Sequence, residues 1–182
     1  MTEIRAITVS GLPGSGTSTV CQLLSEETRR AYLNTGEVFR QMAAEAGLSL
    51  AEFGRRAEID SDVDRQLDAR MLQQALQEVG GVILEGRLTG WMALRHELDA
   101  LKVWLDADIE VRADRVAKRE GQSPQEALAA INQREQSERQ RYLENHRIDI
   151  TDLSIYDLVI DTADLSPQAI GTRISAALVT EG

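Results

Sequence analysis

Lysine is scarce in this chain: its 182 residues include two lysines, Lys102 and Lys118, against eighteen arginines. Cationic chemistry therefore falls to guanidinium groups, which keep their charge and bind phosphate bidentately. The one cysteine, Cys21, cannot form an internal disulfide. Its place in an expected helix makes it a small buried side chain without a redox role. The two histidines, His96 and His146, are isolated. There is no H-x-x-x-H, C-x-x-C or serine-triad pattern, so neither a structural metal nor a hydrolase nucleophile is expected. No apolar run approaches a membrane span, and the opening residues lack the basic and apolar regions of a signal peptide. The expectation is a cytoplasmic protein without membrane contact. Low-complexity tracts and internal repeats are also missing. The net charge of −10 argues against general nucleic-acid binding.

What is there is a regular alternation. The length suits one domain with a sizeable core, and an apolar fraction of 42% is ordinary for a globular protein. Strand-like runs at Ile4–Val9, Ala31–Leu33, Val82–Leu84, Lys102–Leu105 and Leu158–Ile160 alternate with helical segments. The helices are expected at about Thr17–Arg30, Thr35–Ala46, from Ser49, Asp62–Val79, Ile109–Arg119, Ser123–Asn145 and from Ser166. Ser49 with Glu52, and Ser123-Pro124 with Glu126, have the form of helix-start capping boxes. This order predicts an α/β fold: a five-stranded parallel sheet flanked by helices. Two helical insertions interrupt the core (1–34, 80–120 and 156–182). They are Thr35–Val79 and the region 121–155.

The sharpest motif follows the first strand. Gly11-Leu12-Pro13-Gly14-Ser15-Gly16-Thr17-Ser18-Thr19 has the glycine spacing of a phosphate-binding loop between a strand and a helix. Glycines let successive N–H groups curl around phosphate oxygens, and the helix N-terminus favours the negative charge. Ser18 stands where a hydroxyl ligand of Mg²⁺ belongs. Thr17 stands where such loops carry the lysine that reaches the β- and γ-phosphates.

Other candidates also lie just after strands, where ligands bind in doubly wound sheets. After the second strand, Thr35 and Arg40 suit a second phosphate-bearing molecule, or else a helix cap and a surface charge. After the third, Glu85-Gly86-Arg87 offers a phosphate clamp in Arg87 and an orienting or accepting carboxylate in Glu85. Arg115 and Arg119 share one helix face. Arg134 and Arg141 share another, with Glu138 between them and Arg139 pointing elsewhere. Arginines on such an insertion suit a lid closing over phosphates, though some are expected in i,i+4 pairs. From Arg112 to Arg147, eight basic residues against six acidic give a net +2 inside an acidic chain, which suits a small anionic ligand. Asp60, Asp64 and Asp68 form a row whose repulsion Arg56 and Arg65 are placed to offset. Alternatively, one of these aspartates, Asp64, meets a nucleobase amine.

These stations together resemble the archaeal-type cytidylate kinases, in the nucleoside monophosphate kinase group of P-loop kinases. The resemblance runs from about Ile7 to Pro167. The stretches EGRLTGWM and RIDITDLSIYDLVIDT are more specific to it than the phosphate loop. It implies a P-loop kinase core with a monophosphate-binding insertion (35–79) and a lid (121–155), converting CMP or dCMP with MgATP. It implies ATP phosphates on Gly11–Thr19, Mg²⁺ on Ser18, and Thr35, Arg40 and Arg87 at monophosphate-binding positions. Arg115 and Arg119 fall at the lid's base, with Arg134, Arg139 and Arg141 in the lid. Thr17 is the departure, so Arg119 or Arg134 is expected to supply the missing charge. A kinase of another acceptor, such as UMP, AMP or shikimate, and a non-catalytic nucleotide-binding module are the alternatives. A monomer is expected.

Overall fold

The computed structural model describes residues 6–180. Five strands, β1 (Ala6–Gly11), β2 (Ala31–Asn34), β3 (Val82–Glu85), β4 (Ala100–Asp106) and β5 (Leu158–Asp161), form one sheet in the order β2-β3-β1-β4-β5. Every pairing is parallel. β1 is central and buried at all its positions, as expected for a β-branched run covered on both faces. The expected first strand included Ile4 and Arg5, which lie outside the described residues.

Eight helices are described: α1 (Thr17–Thr28), α2 (Thr35–Glu45), α3 (Leu50–Ile59), α4 (Ser61–Gln77), α5 (Thr89–Arg95), α6 (Ile109–Glu120), α7 (Pro124–His146) and α8 (Pro167–Thr180). Both capping boxes form, at Ser49/Glu52 and Ser123/Glu126. Gly121 ends α6 with φ 68°, a left-handed conformation that costs glycine little. The cap of α2 is Asn34, whose side chain accepts from the Glu37 N–H; Thr35 is the first helical residue rather than the cap. Asp60 likewise caps α4 and stands outside its aspartate row. The short helix α5 was not expected.

Side chains alternate across the sheet, so each face has its own core. On one, Ile7, Val9, Ile83, Val103 and Ile160 pack under α1 and α8. On the other, Ala6, Val82 and Leu84 pack under α2, α3, α4 and Met92 of α5. Trp104, Tyr142, Ile150 and Tyr156 extend this second layer beside β4. Cys21 is fully buried in the first, and burial, then the charge of Glu85, push its thiol pKa up. β1 thus feeds a helix on one face and β3 a helix on the other. Adjacent strands that diverge in this way open a crevice beyond their carboxyl ends. Among the described residues no helix is long and apolar enough to cross a membrane.

Candidate active site

The crevice is a cleft of about 620 Å³ between the loops after β1 and β3 and helices α2, α4, α6 and α7. Leu12, Pro13, Gly14, Thr17 and Ser18 line its floor. The loop takes its path because Gly14 and Gly16 adopt φ 85° and 95°. A Cβ on Gly14 would stand 2.5 Å from the Arg112 carbonyl oxygen, and one on Gly11 2.7 Å from that of Leu105. A turn from the Ser15 N–H to the Leu12 carbonyl, 3.1 Å, closes the loop. Gly16 then caps α1, whose first N–H groups are open to a ligand as at any helix start. Ser15 is buried, and Thr19 is exposed.

Glu85 ends β3 beside this loop and is buried. Its Oε1 accepts from the hydroxyls of Thr17 and Ser18, each at 2.7 Å. Its Oε2 accepts from the Tyr32 hydroxyl and Asn34 Nδ2. Burial and then the Glu85 contact raise the pKa of the Tyr32 phenol well above the ordinary value, so it remains a donor. Thr17 therefore spends its hydroxyl on Glu85. The pair Ser18 Oγ and Glu85 Oε1 fits a hard divalent cation, which takes oxygen ligands and keeps several waters. Thr35 Oγ1 donates to the Glu85 backbone carbonyl at 2.7 Å, drawing α2 over the β3 loop.

The arginines divide by environment. Arg87 does not pair with Glu85. Its Nη1 donates to the Gly11 carbonyl at 2.6 Å and its Nε to Glu138 of α7 at 3.0 Å. Arg134 donates to the other Glu138 oxygen at 2.8 Å, the i,i+4 pair. Arg119 and Arg40 line the cleft, exposed, beside Glu120 and Glu37. Arg141 lies over the Tyr142 ring and 3.8 Å from Asp64. Arg139 is exposed. Arg115 does not line the cleft wall: it holds Thr162 by its hydroxyl and carbonyl, at 2.9 and 2.6 Å, and reaches the Gly14 carbonyl at 3.4 Å.

The far end of the cleft holds Asp64, buried on α4. His146 stands 3.3 Å from its carboxylate, and Asn145 donates to it at 3.5 Å. His146 is therefore not isolated, as its lack of neighbours in sequence suggested. Burial pushes the Asp64 pKa up, but the His146 contact and the Arg141 charge outweigh it, and the net shift is down. In Asp68, one turn on, burial dominates and the shift is up. Arg56 does meet Asp60, at 3.5 Å, but Arg65 pairs with Asp62 and leaves the aspartate row to α7.

Sequence reasoning missed Arg112. It is buried, donates to the Ala107 carbonyl at 2.8 Å and the Pro13 carbonyl at 3.2 Å, and pairs with buried Glu135 of α7. The available signal was an arginine beside Ala113 and Val116 on the apolar side of α6. Tyr32 and Asn34 were also missed; their i,i+2 spacing on β2 puts both on one face.

A parallel sheet in this order, with a glycine loop after its central strand and arginines around the crevice, is the architecture of a P-loop kinase. Shikimate kinase from Bacteroides thetaiotaomicron shares it, with a TM-score of 0.63 at 16% identity over 96% of this chain and 98% of that one. The particular family is settled by sequence. Residues 6–164 match the model of the cytidylate kinase-like family, and the chain belongs to that family. The cytidylate kinase of Pyrococcus abyssi is 49% identical over 94% of this chain and 92% of its own. That of Methanocaldococcus jannaschii is 42% identical over 94% and 96%.

Proposed function

We propose that this protein is a (d)CMP kinase, transferring the γ-phosphoryl group of ATP to CMP or dCMP. The observation that carries the reading is the single cleft. It joins the phosphate loop, the Ser18–Glu85 pair and five arginines to a buried, charged pocket at Asp64. Similarity to named cytidylate kinases over nearly the whole chain favours the cytosine nucleotide over UMP, AMP or a non-catalytic role.

In this reading the N–H groups of Gly11–Thr19 hold the donor phosphates. Ser18 and Glu85 hold Mg²⁺, which when bound offsets charge on the β- and γ-oxygens. Thr35 and Arg40 receive the acceptor phosphate from the α2 side, and residues 35–79 form the acceptor-binding part. The acceptor oxygen is already ionised at neutral pH, so no general base is needed and positioning with charge stabilisation does the work. Arg87, Arg119, Arg134 and Arg141 surround the transfer. Arg115 holds the loop and the β5–α8 turn where the donor nucleoside leaves the cleft. Asp64 accepts from the cytosine amine, the one donor on that base edge. Residues 121–155 act as the lid, whose closure keeps water from the donor. The reading is of a monomer acting in the cytoplasm.

ADP release from MgATP, measured with CMP, dCMP, UMP and AMP, tests this. Turnover highest with CMP and dCMP is expected. Turnover with another acceptor alone removes the cytosine assignment, and ATP binding without any turnover removes the kinase.

A further inference from the structure

The cleft places a glutamate between two arginines, where only anionic ligands are expected to bind. Glu138, on the cleft side of α7, is 12% exposed in its side chain. One carboxylate oxygen accepts from Arg87 Nε at 3.0 Å, the other from Arg134 Nε at 2.8 Å. Burial works against this charge, yet the two guanidiniums bring its pKa below the ordinary value. Arg87 is gripped a second time, through Nη1 on the carbonyl of Gly11, the first residue of the phosphate loop, at 2.6 Å. One guanidinium is thus fixed to the loop backbone on one edge and to α7 on the other. Its Nη2 takes part in neither bond.

The two cations expected in the lysine's place sit differently. Arg119 and Arg134 are 65% and 61% exposed, and their partners, Glu120 and Glu138, lie off the loop. Thr17 turns its hydroxyl to Glu85 and contributes no charge. We infer that Arg87 supplies the charge of the missing loop lysine to the donor's β- and γ-phosphates, with Glu138 as the residue that positions it. The inference rests on the kinase reading and moves Arg87 from the acceptor phosphate to the donor.

The charges agree with this. Two adjacent arginines alone would carry +2 and repel. With Glu138 between them the trio carries +1, the charge of one lysine. A carboxylate binding each guanidinium through Nε also fixes the plane in which the remaining N–H groups point. A lysine is a point charge on a flexible stem and needs no such partner. A planar cation reaching in from the β3 loop does.

The test compares wild type, Arg87→Met and Glu138→Gln. Each is titrated with Mg²⁺ and a non-hydrolysable imido analogue of ATP, and separately with CMP, and kcat is measured for each. Arg87→Met is expected to weaken the analogue at least tenfold, leave CMP within twofold, and lower kcat about 10²-fold, the scale of losing one charge-stabilising donor. A loss confined to CMP, an equal loss for both ligands, or no loss overturns the assignment. Should Arg87→Met fail to fold, Arg87→Lys is read the same way, with a smaller loss confined to the analogue expected. Glu138→Gln keeps the arginine's charge. Its kcat is expected to fall about tenfold at unchanged KM for CMP, the scale of a misplaced positioning group, with partial recovery in Glu138→Asp. An unchanged kcat in Glu138→Gln overturns the positioning role. The kinase reading itself fails by a different result, wild-type protein that turns over no monophosphate, and the titrations still report which ligand Arg87 serves.

Discussion

Gly14 and Gly16 both lie in the left-handed region, but their surroundings differ. A Cβ on Gly16 meets nothing within 4 Å, whereas one on Gly14 meets the Arg112 carbonyl at 2.5 Å. Gly16→Ala therefore carries backbone strain of about 1 kcal/mol, a shift of roughly 2–4 °C in a domain of this size. Gly14→Ala adds a clash with backbone that cannot swing away. Thermal denaturation should show it at least twice as destabilising; equal shifts would mean the loop relaxes around the new carbon. Asp64→Asn preserves shape and removes charge, so steady-state kinetics should show KM for CMP rising about tenfold or more, with a smaller change in kcat. The glycines were legible in sequence because their requirement is local: a motif of a few residues states it. Glu85 was only partly legible, and His146, read as isolated, was not legible at all, because their partners are remote. Glu85 collects donors from Thr17, Ser18, Tyr32 and Asn34, and His146 meets Asp64 only once α7 lies against α4.

At the scale of elements, helices with strong end signals were readable and helices without them were not. Ser49, Ser123 and Gly121 announce their boundaries. α5 has seven residues and no side-chain cap, and two turns are too short for an apolar period to stand out. What sequence could not state is how α7 is held. It packs on α6 through Ala127 and Ile131 against Ala113, Val116 and Ala117. Arg112 pins the same contact, joining the Pro13 carbonyl of the loop to Glu135. Removing one member leaves the other charged and buried, a cost of about 3–5 kcal/mol. Arg112→Met should lower the urea midpoint accordingly at an unchanged slope. Arg112→Met with Glu135→Leu should regain most of the loss. A double variant as weak as the single would show that Arg112 acts mainly through the Pro13 and Ala107 carbonyls.

Across the whole molecule, two of the carboxylates that tie α7 to the rest of the fold, Glu138 and Asp64, have depressed pKa values. Glu138 is lowered from an ordinary 4.5 and Asp64 from 3.8, against the burial that opposes each. A carboxylate with a depressed folded value stabilises above its unfolded value and loses that contribution as pH falls through the folded one. Asp68, raised by burial, has the opposite sign and offsets part of it. Melting temperature should therefore be flat near neutrality and fall below about pH 4.5, and Glu138→Gln with Asp64→Asn should flatten that fall. An unchanged acid slope in the double variant would place the acid sensitivity elsewhere. Opening of this fold also has a built-in chemical record. The chain's one thiol, Cys21, lies on α1 just behind the phosphate loop, with no exposure and a raised pKa. A thiol reagent at neutral pH can reach it only in molecules whose α1 has parted from the sheet. The labelling rate, set against that of a free thiol, counts how often the nucleotide-binding half of the molecule breathes, and does so without a tag.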